Sequence, residues 1–130
     1  MTILVAYVPR PEGQAALDKG IEIAGRRKEH LVVVNASPGG SKDDPSMADT
    51  GDVERVEKLL AESGIEATFK QFVRGKSAIE EIEEMIDLLQ VSLLIIGLRK
   101  RTPMGKLFLG SVAQEILLSV PCPVLAVKAK

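Results

Sequence analysis

Four stretches of this chain are almost wholly apolar and too short to be helices: residues 2–8, 31–36, 91–96 and 123–127. Ser92 is the one polar residue of the third. A run with no solvent side reads as a strand buried on both faces, the mark of a parallel sheet. A fifth stretch, 65–73, alternates in part through Ala67, Phe69, Gln71 and Val73, so it reads as a strand nearer an edge. Between these strands the apolar period changes to that of a helix. Residues 12–28 carry Ala16, Leu17, Ile21 and Ala24 on one face, and the next helix carries Val53, Val56, Leu59 and Leu60. Ile79, Ile82, Ile86 and Leu89 make the third stripe, and Val112, Ile116, Leu117 and Val120 the fourth. Strands alternating with helices predict right-handed crossovers. The expectation is one α/β domain over residues 1–130, with a doubly wound five-strand parallel sheet in the order 3-2-1-4-5 and helices on both faces.

Local signals place the ends of these elements. Pro9 and Pro11 stop the first strand. Residues 37–50 are rich in Gly, Ser, Pro and Asp and are expected to form a mobile loop. Asp49, Thr50 or Asp52 caps the second helix, and Gly64 stops it. Ser77 with Glu80, and Ser111 with Gln114, fit capping boxes. Gly20 and Gly25 either weaken the first helix or let it approach the sheet closely.

Residues 93–112 hold the chemistry. Gly97 ends the fourth strand, a flexible basic loop follows with Arg99, Lys100, Arg101 and Lys106, and Gly110-Ser111 opens a helix. The order 3-2-1-4-5 puts this loop at the switch point between strands 1 and 4, where a crevice opens at the strands' carboxyl ends. Helix-start amides lack intrahelical partners, and the dipole favours an anion there. Two readings stand: a polyphosphate clamp, or a solvated loop beside an ordinary capped helix.

Several classes are excluded. Net charge is −1 and aromatic content 3%, so neither broad electrostatic attraction nor base stacking points to nucleic acid. No apolar run approaches the ~18 residues of a membrane span, and the N-terminus lacks a signal-peptide pattern, so a cytoplasmic protein is expected. The single Cys122 reads as a buried structural thiol. His30 closes a basic helix end, and Asp43, Asp44, Asp49 and Asp52 lack calcium-loop spacing, so no metal site is expected. Glu80, Glu81, Glu83 and Glu84 read as the solvated face of the third helix. A phospho-receiver would need acidic residues after strands 1 and 3, where Val8 and Val73-Arg74 stand.

The spacing Gly97-x12-Gly110-Ser111-Val112, followed by Pro121-Cys122-Pro123-Val124-Leu125-Ala126-Val127, resembles the universal stress protein family over essentially the whole chain. The ATP-binding branch of that family carries Gly-x2-Gly-x9-Gly-(Ser/Thr) here. The resemblance implies a Rossmann-like fold, usually a homodimer, that binds ATP or AMP in some branches, with Mg²⁺ accompanying ATP. By position it nominates Ile96, Gly97, Arg99, Gly110, Ser111, Val112 and Ala113, with Tyr7 and Val8 after strand 1 and Ala36 after strand 2. It also implies an antiparallel pairing of strand 5 across a two-fold, through Val124, Leu125, Ala126 and Val127.

Two departures stand out. Lys100 occupies the family's second loop glycine, where it either blocks the backbone path or offers an ammonium to phosphate. The family's acidic residue near Val8 is missing, and the next carboxylate is Glu12. The implied function is a stress-response protein that binds adenine nucleotide with at most slow ATP hydrolysis. The alternative is a dimer with a degenerate pocket that acts through a protein partner.

Overall fold

The computed structural model describes residues 1–39, 44–100, 107–108 and 110–129. Its elements are β1 (Thr2–Ala6), α1 (Pro11–Arg27), β2 (His30–Ser37), α2 (Thr50–Glu62), β3 (Ala67–Val73), α3 (Ala78–Leu89), β4 (Val91–Lys100), β5 (Leu107–Phe108), α4 (Ser111–Ser119) and β6 (Val124–Lys128). Five strands run parallel in the order β3-β2-β1-β4-β6, so β6 is the fifth strand of the expected 3-2-1-4-5 sheet. The two-residue β5 is an addition, antiparallel to β4. Among the described residues no helix is long and apolar enough to cross a membrane.

The parallel strands sort their side chains by period two into two cores. Ile3, Val5 and Tyr7 face α1 and α2 with Leu17, Val56 and Leu60. Leu4, Val32 and Val34 face α3 and α4 with Ile82, Ile86 and Ile116. Burying each such aliphatic side chain contributes roughly 1.5–3 kcal/mol, which is why the nearly unbroken apolar runs fold as central strands. Gly20 answers the question its sequence left open: a Cβ there would stand 2.5 Å from Val5 Cγ2, so the helix needs the absent side chain. Gly25 has ordinary space around it.

Several expectations need correction. β4 does not end at Gly97. Gly97 and Leu98 pair with Val127 and Lys128, and Arg99 and Lys100 pair with Phe108 and Leu107, so the ladder carries the strand to Lys100. Arg99 and the Lys100 backbone therefore belong to a strand rather than a loop. His30 begins β2 and meets Thr68 Oγ1 at 3.1 Å, because α1 ends earlier at a left-handed Lys28 cap (φ 55). Glu81 is not solvated: it is wholly buried, and Arg74 at the end of β3 grips it through two hydrogen bonds of 2.8 and 2.7 Å. That guanidinium lies over the Phe72 ring at 4.5 Å, which a period-based reading of α3 alone had no means to anticipate. On α4, Ile116 is buried, but Val112 and Leu117 are each nearly half exposed. The helix is only nine residues long, and Ile116 is its one buried residue.

The loop after β2 was expected to be mobile, yet its described part is tied down by Asn35. This wholly buried side chain donates to the carbonyls of Tyr7 (3.0 Å) and Ser46 (2.7 Å) and accepts from the Ala48 amide (2.9 Å) and Gln71 (3.0 Å). Asp44 accepts from the Ser37 and Ser46 hydroxyls, which hold its carboxyl below the usual aspartate range. The α2 cap is Asp49, in a reciprocal box with Asp52, and Ser77 with Glu80 caps α3 as expected. Replacing Asn35 by Leu strands several buried polar groups at about 1–3 kcal/mol each. Asn35→Leu is expected to lower stability by about 3 kcal/mol or more, read as a reduced urea midpoint at unchanged slope. A loss under about 1 kcal/mol would show that the loop holds without this residue.

Candidate functional site

The strand order reverses at β1, which has β2 on one side and β4 on the other. A crevice of about 220 Å³ opens there, at the strands' carboxyl ends. That is several times the roughly 30 Å³ a water occupies in the liquid, so it admits an organic group. Its floor is apolar: Ala6 of β1, Val34 and Ala36 of β2, Ile96 of β4, and Ile82 of α3 beneath Ala78. The far wall is the start of α4, from Gly110 to Ala113, with Ile116 behind it. Arg99 at the end of β4, and Arg10 and Glu12 from the β1–α1 connection, bring charge to this apolar setting.

Two glycines shape the crevice. A Cβ on Gly97 would overlap the Glu12 carbonyl and sit 2.9 Å from Glu12 Cβ. A Cβ on Gly13 would overlap the Val8 carbonyl, which accepts the Arg10 amide at 2.8 Å. The first turn of α1 therefore rests directly on β4 and on the end of β1. Gly97 serves this backbone approach and not a turn.

Gly110 is the N-cap of α4, with φ −64 and ψ 164, and its carbonyl accepts the Gln114 amide at 3.0 Å. The expected Ser111–Gln114 capping box is thus replaced by a helix that starts one residue earlier, with Ser111 in its first helical position. A glycine cap has no side-chain oxygen, so it leaves the first-turn amides without the acceptor that Ser, Asp or Asn would supply. These residues and Arg99 line the same crevice.

The crevice gathers every nominated residue whose side chain is described: Tyr7, Val8, Ala36, Ile96, Gly97, Arg99, Gly110, Ser111, Val112 and Ala113. The Lys100 side chain lies outside the described residues, as do Arg101 through Lys106 and Asp43. Tyr7 brings less polar chemistry than its place suggests. Its hydroxyl accepts from Arg55 at 2.9 Å, its carbonyl from Asn35, and its amide donates to Val34 at 2.8 Å. Burial raises its phenol, an effect partly offset by Arg55.

Sequence reasoning missed Arg10 and Glu12. Glu12 is buried in the crevice with Arg10 Nε 3.1 Å from its carboxylate. A carboxylate is present here after all, brought by the first turn of α1 and not by strand 1. The signal was the Gly13 that follows it, which marks a close approach. Elsewhere, burial pushes the half-buried Cys122 thiol up, and Cys122 lies apart from the crevice.

The sequence profile of the universal stress protein family matches residues 1–128. The chain is 47% identical to a universal stress protein of Mycolicibacterium smegmatis over 126 residues, 97% of this chain and 96% of that one. Its fold matches a universal stress protein of Archaeoglobus fulgidus at 28% identity and a TM-score of 0.79, over 98% of this chain and 97% of that chain. An A. fulgidus universal stress protein solved in complex with dAMP matches at 22% identity and a TM-score of 0.73, over 98% and 96%.

Gly97→Ala tests the close approach at the crevice. Gly→Ala at a compatible site stabilises by about 0.4–1 kcal/mol. Here it is expected to destabilise by about 1–3 kcal/mol, as overpacking does, measured by thermal or urea unfolding. A gain in stability would mean that α1 shifts away from β4 at no cost.

Proposed function

The chain belongs to the universal stress protein family, and from that premise we propose that its crevice binds an adenine nucleotide, ATP or AMP, in a stress response without substantial catalysis. The carrying observation is one crevice lined both by Arg99 with the start of α4, which has no side-chain cap, and by apolar residues. An anion suits the first and a base the second. Phosphate is assigned to Gly97, Arg99, Lys100, Gly110, Ser111, Val112 and Ala113, and the nucleoside to Tyr7, Val8, Ala36 and Ile96. Mg²⁺ would accompany ATP on its phosphates. The dAMP held by the A. fulgidus relative supports the ligand class. Slow hydrolysis is the most this reading includes, since Glu12, the one carboxylate among the described residues that line the crevice, is ion-paired with Arg10. A cytoplasmic location completes this reading.

A second reading keeps the family and discards the ligand: a homodimer acting through an as yet unidentified protein partner. The β4–β5 hairpin favours it, because strand pairing commits the backbone at Lys100, where a glycine loop would bend around phosphate. Calorimetric titration with AMP and with ATP, with and without Mg²⁺, separates the two. Binding on the order of micromolar is expected, weakened roughly tenfold or more by Arg99→Ala, as losing a charged hydrogen bond implies. Ser111→Ala is expected to weaken binding while changing stability by less than about 0.5 kcal/mol, as a surface position outside the cap would. No heat and no thermal shift at millimolar nucleotide would leave the second reading in its place.

For the homodimer we propose pairing through β6, with Val124, Leu125, Ala126 and Val127 at the interface. Leu94 donates to the Pro123 carbonyl and Ala129 donates to Leu98, so by alternation Leu125 and Val127 also turn their backbone groups to β4. Val124 and Ala126 turn theirs to the open edge. Ala126→Pro removes an outward donor and spares the β4 ladder. It is expected to yield a folded monomer by light scattering; an unchanged dimer would exclude this interface.

A further inference from the structure

We infer that Arg74 is a positioning residue for the nucleotide crevice: its grip on Glu81 sets where the start of α3 stands, and through Ala78 and Ile82 how closely the crevice fits its ligand. The inference rests on the nucleotide reading above and adds to it a pair of residues outside the crevice lining.

One side of the crevice is built from the end of β2 and the opening turns of α3. Ala36 of β2 lines it, and the register partner of Ala36 on β3 is Phe72. Ala78 and Ile82 of α3 line it as well. Glu81 stands between those two in the sequence and is wholly buried. Arg74 holds both of its oxygens, Nε to Oε2 at 2.8 Å and Nη2 to Oε1 at 2.7 Å. The same guanidinium lies over the Phe72 ring at 4.5 Å. Arg74 therefore ties the strand beside Ala36 to the helix turn that carries Ala78 and Ile82. The turn between strand and helix is held too: Gly75 has φ 79, and its amide donates to the Pro38 carbonyl at 2.9 Å.

A buried ion pair is a poor way to gain stability, since apolar residues of similar volume in its place are often neutral or stabilising. What the pair supplies is direction. Two parallel bonds between a guanidinium and a carboxylate fix an angle as well as a distance. Apolar contacts are non-directional. A small rotation of α3 about its axis would keep its apolar face on the sheet and still move Ala78 and Ile82 against Ala36. The fork onto Glu81 resists that rotation. It is braced from outside: Lys76 Nζ meets Glu84 at 2.8 Å, and Glu84 stands 3.4 Å from Arg74 Nη2. With one carboxylate inside and one outside, the guanidinium is kept over Phe72 although it is half exposed.

The test separates fit from stability. AMP is titrated calorimetrically into the wild type and two variants, and the urea midpoint of each is measured alongside. Arg74→Met combined with Glu81→Met removes both charges together, so neither is left buried alone. This double variant is expected to match or exceed the urea midpoint of the wild type. It is expected to bind AMP about fivefold more weakly or worse, as a change remote from the ligand can do. Arg74→Lys keeps the charge and loses the fork, and is expected to fold and to bind AMP more weakly than the wild type. Unchanged AMP affinity in the folded double variant overturns the positioning role. So does an affinity that falls only in step with the urea midpoint. If the double variant does not fold, Arg74→Lys decides: AMP affinity equal to that of the wild type overturns the role. Failure of AMP to bind the wild type overturns the nucleotide reading and this inference with it.

Discussion

The first turn of α1 lies directly on β4, backbone against backbone, because Gly97 has no side chain to hold it off. The two halves of the sheet meet at this contact. β1 belongs to the side with β2 and β3, and β4 to the side with β6. A parallel sheet buried on both faces offers side-chain chemistry only at its strand ends. The distance between β1's exit and β4's end then decides how wide the crevice is. With a Cβ at Gly97 the helix would have to lift, carrying Arg10 and Glu12 with it. The floor, the wall and the charged pair thus hang on a single missing methyl.

Asn35 does for the other side of the crevice what Gly97 does for this one. The end of β2 is continuous with a loop that carries little apolar material of its own. One buried amide holds that loop against Tyr7 and Gln71, so three neighbouring strands share a polar joint inside an apolar sheet. Each of its partners is of the opposite hydrogen-bonding kind, which fixes the orientation of the amide.

The strand order and the helix stripes were legible in the sequence because burial imposes period and run length directly. So were the caps at Asp49 and Ser77, where the signal lies within four residues. What escaped was long-range. Glu81 looked like its exposed neighbours, since nothing in α3 shows that Arg74 reaches it from β3. Glu12 stood in the sequence only as the next carboxylate after strand 1, since its place against Gly97, 85 positions away, is a long-range contact. The Ser111 box failed by one residue: Gly110 gives no side-chain cap, and a glycine so placed reads equally well as the end of the preceding loop. Length misled at β4, where the unbroken apolar run stops at Gly97 but the ladder continues, first with β6 and then with β5.

The two edges of the sheet are unlike. β3 ends it with Lys70 and Gln71 exposed, the kind of charged and polar rim that discourages another strand from adding. β6 ends it with four partly buried apolar residues, and among the described residues it pairs with β4 alone. A sheet open at both margins can recruit copies end to end and grow into a fibre. With one margin blunted, whatever docks on β6 finds no second site of the same kind to pass the interaction on, so strand addition halts after a single step. A sheet with one blunted margin disfavours end-to-end growth.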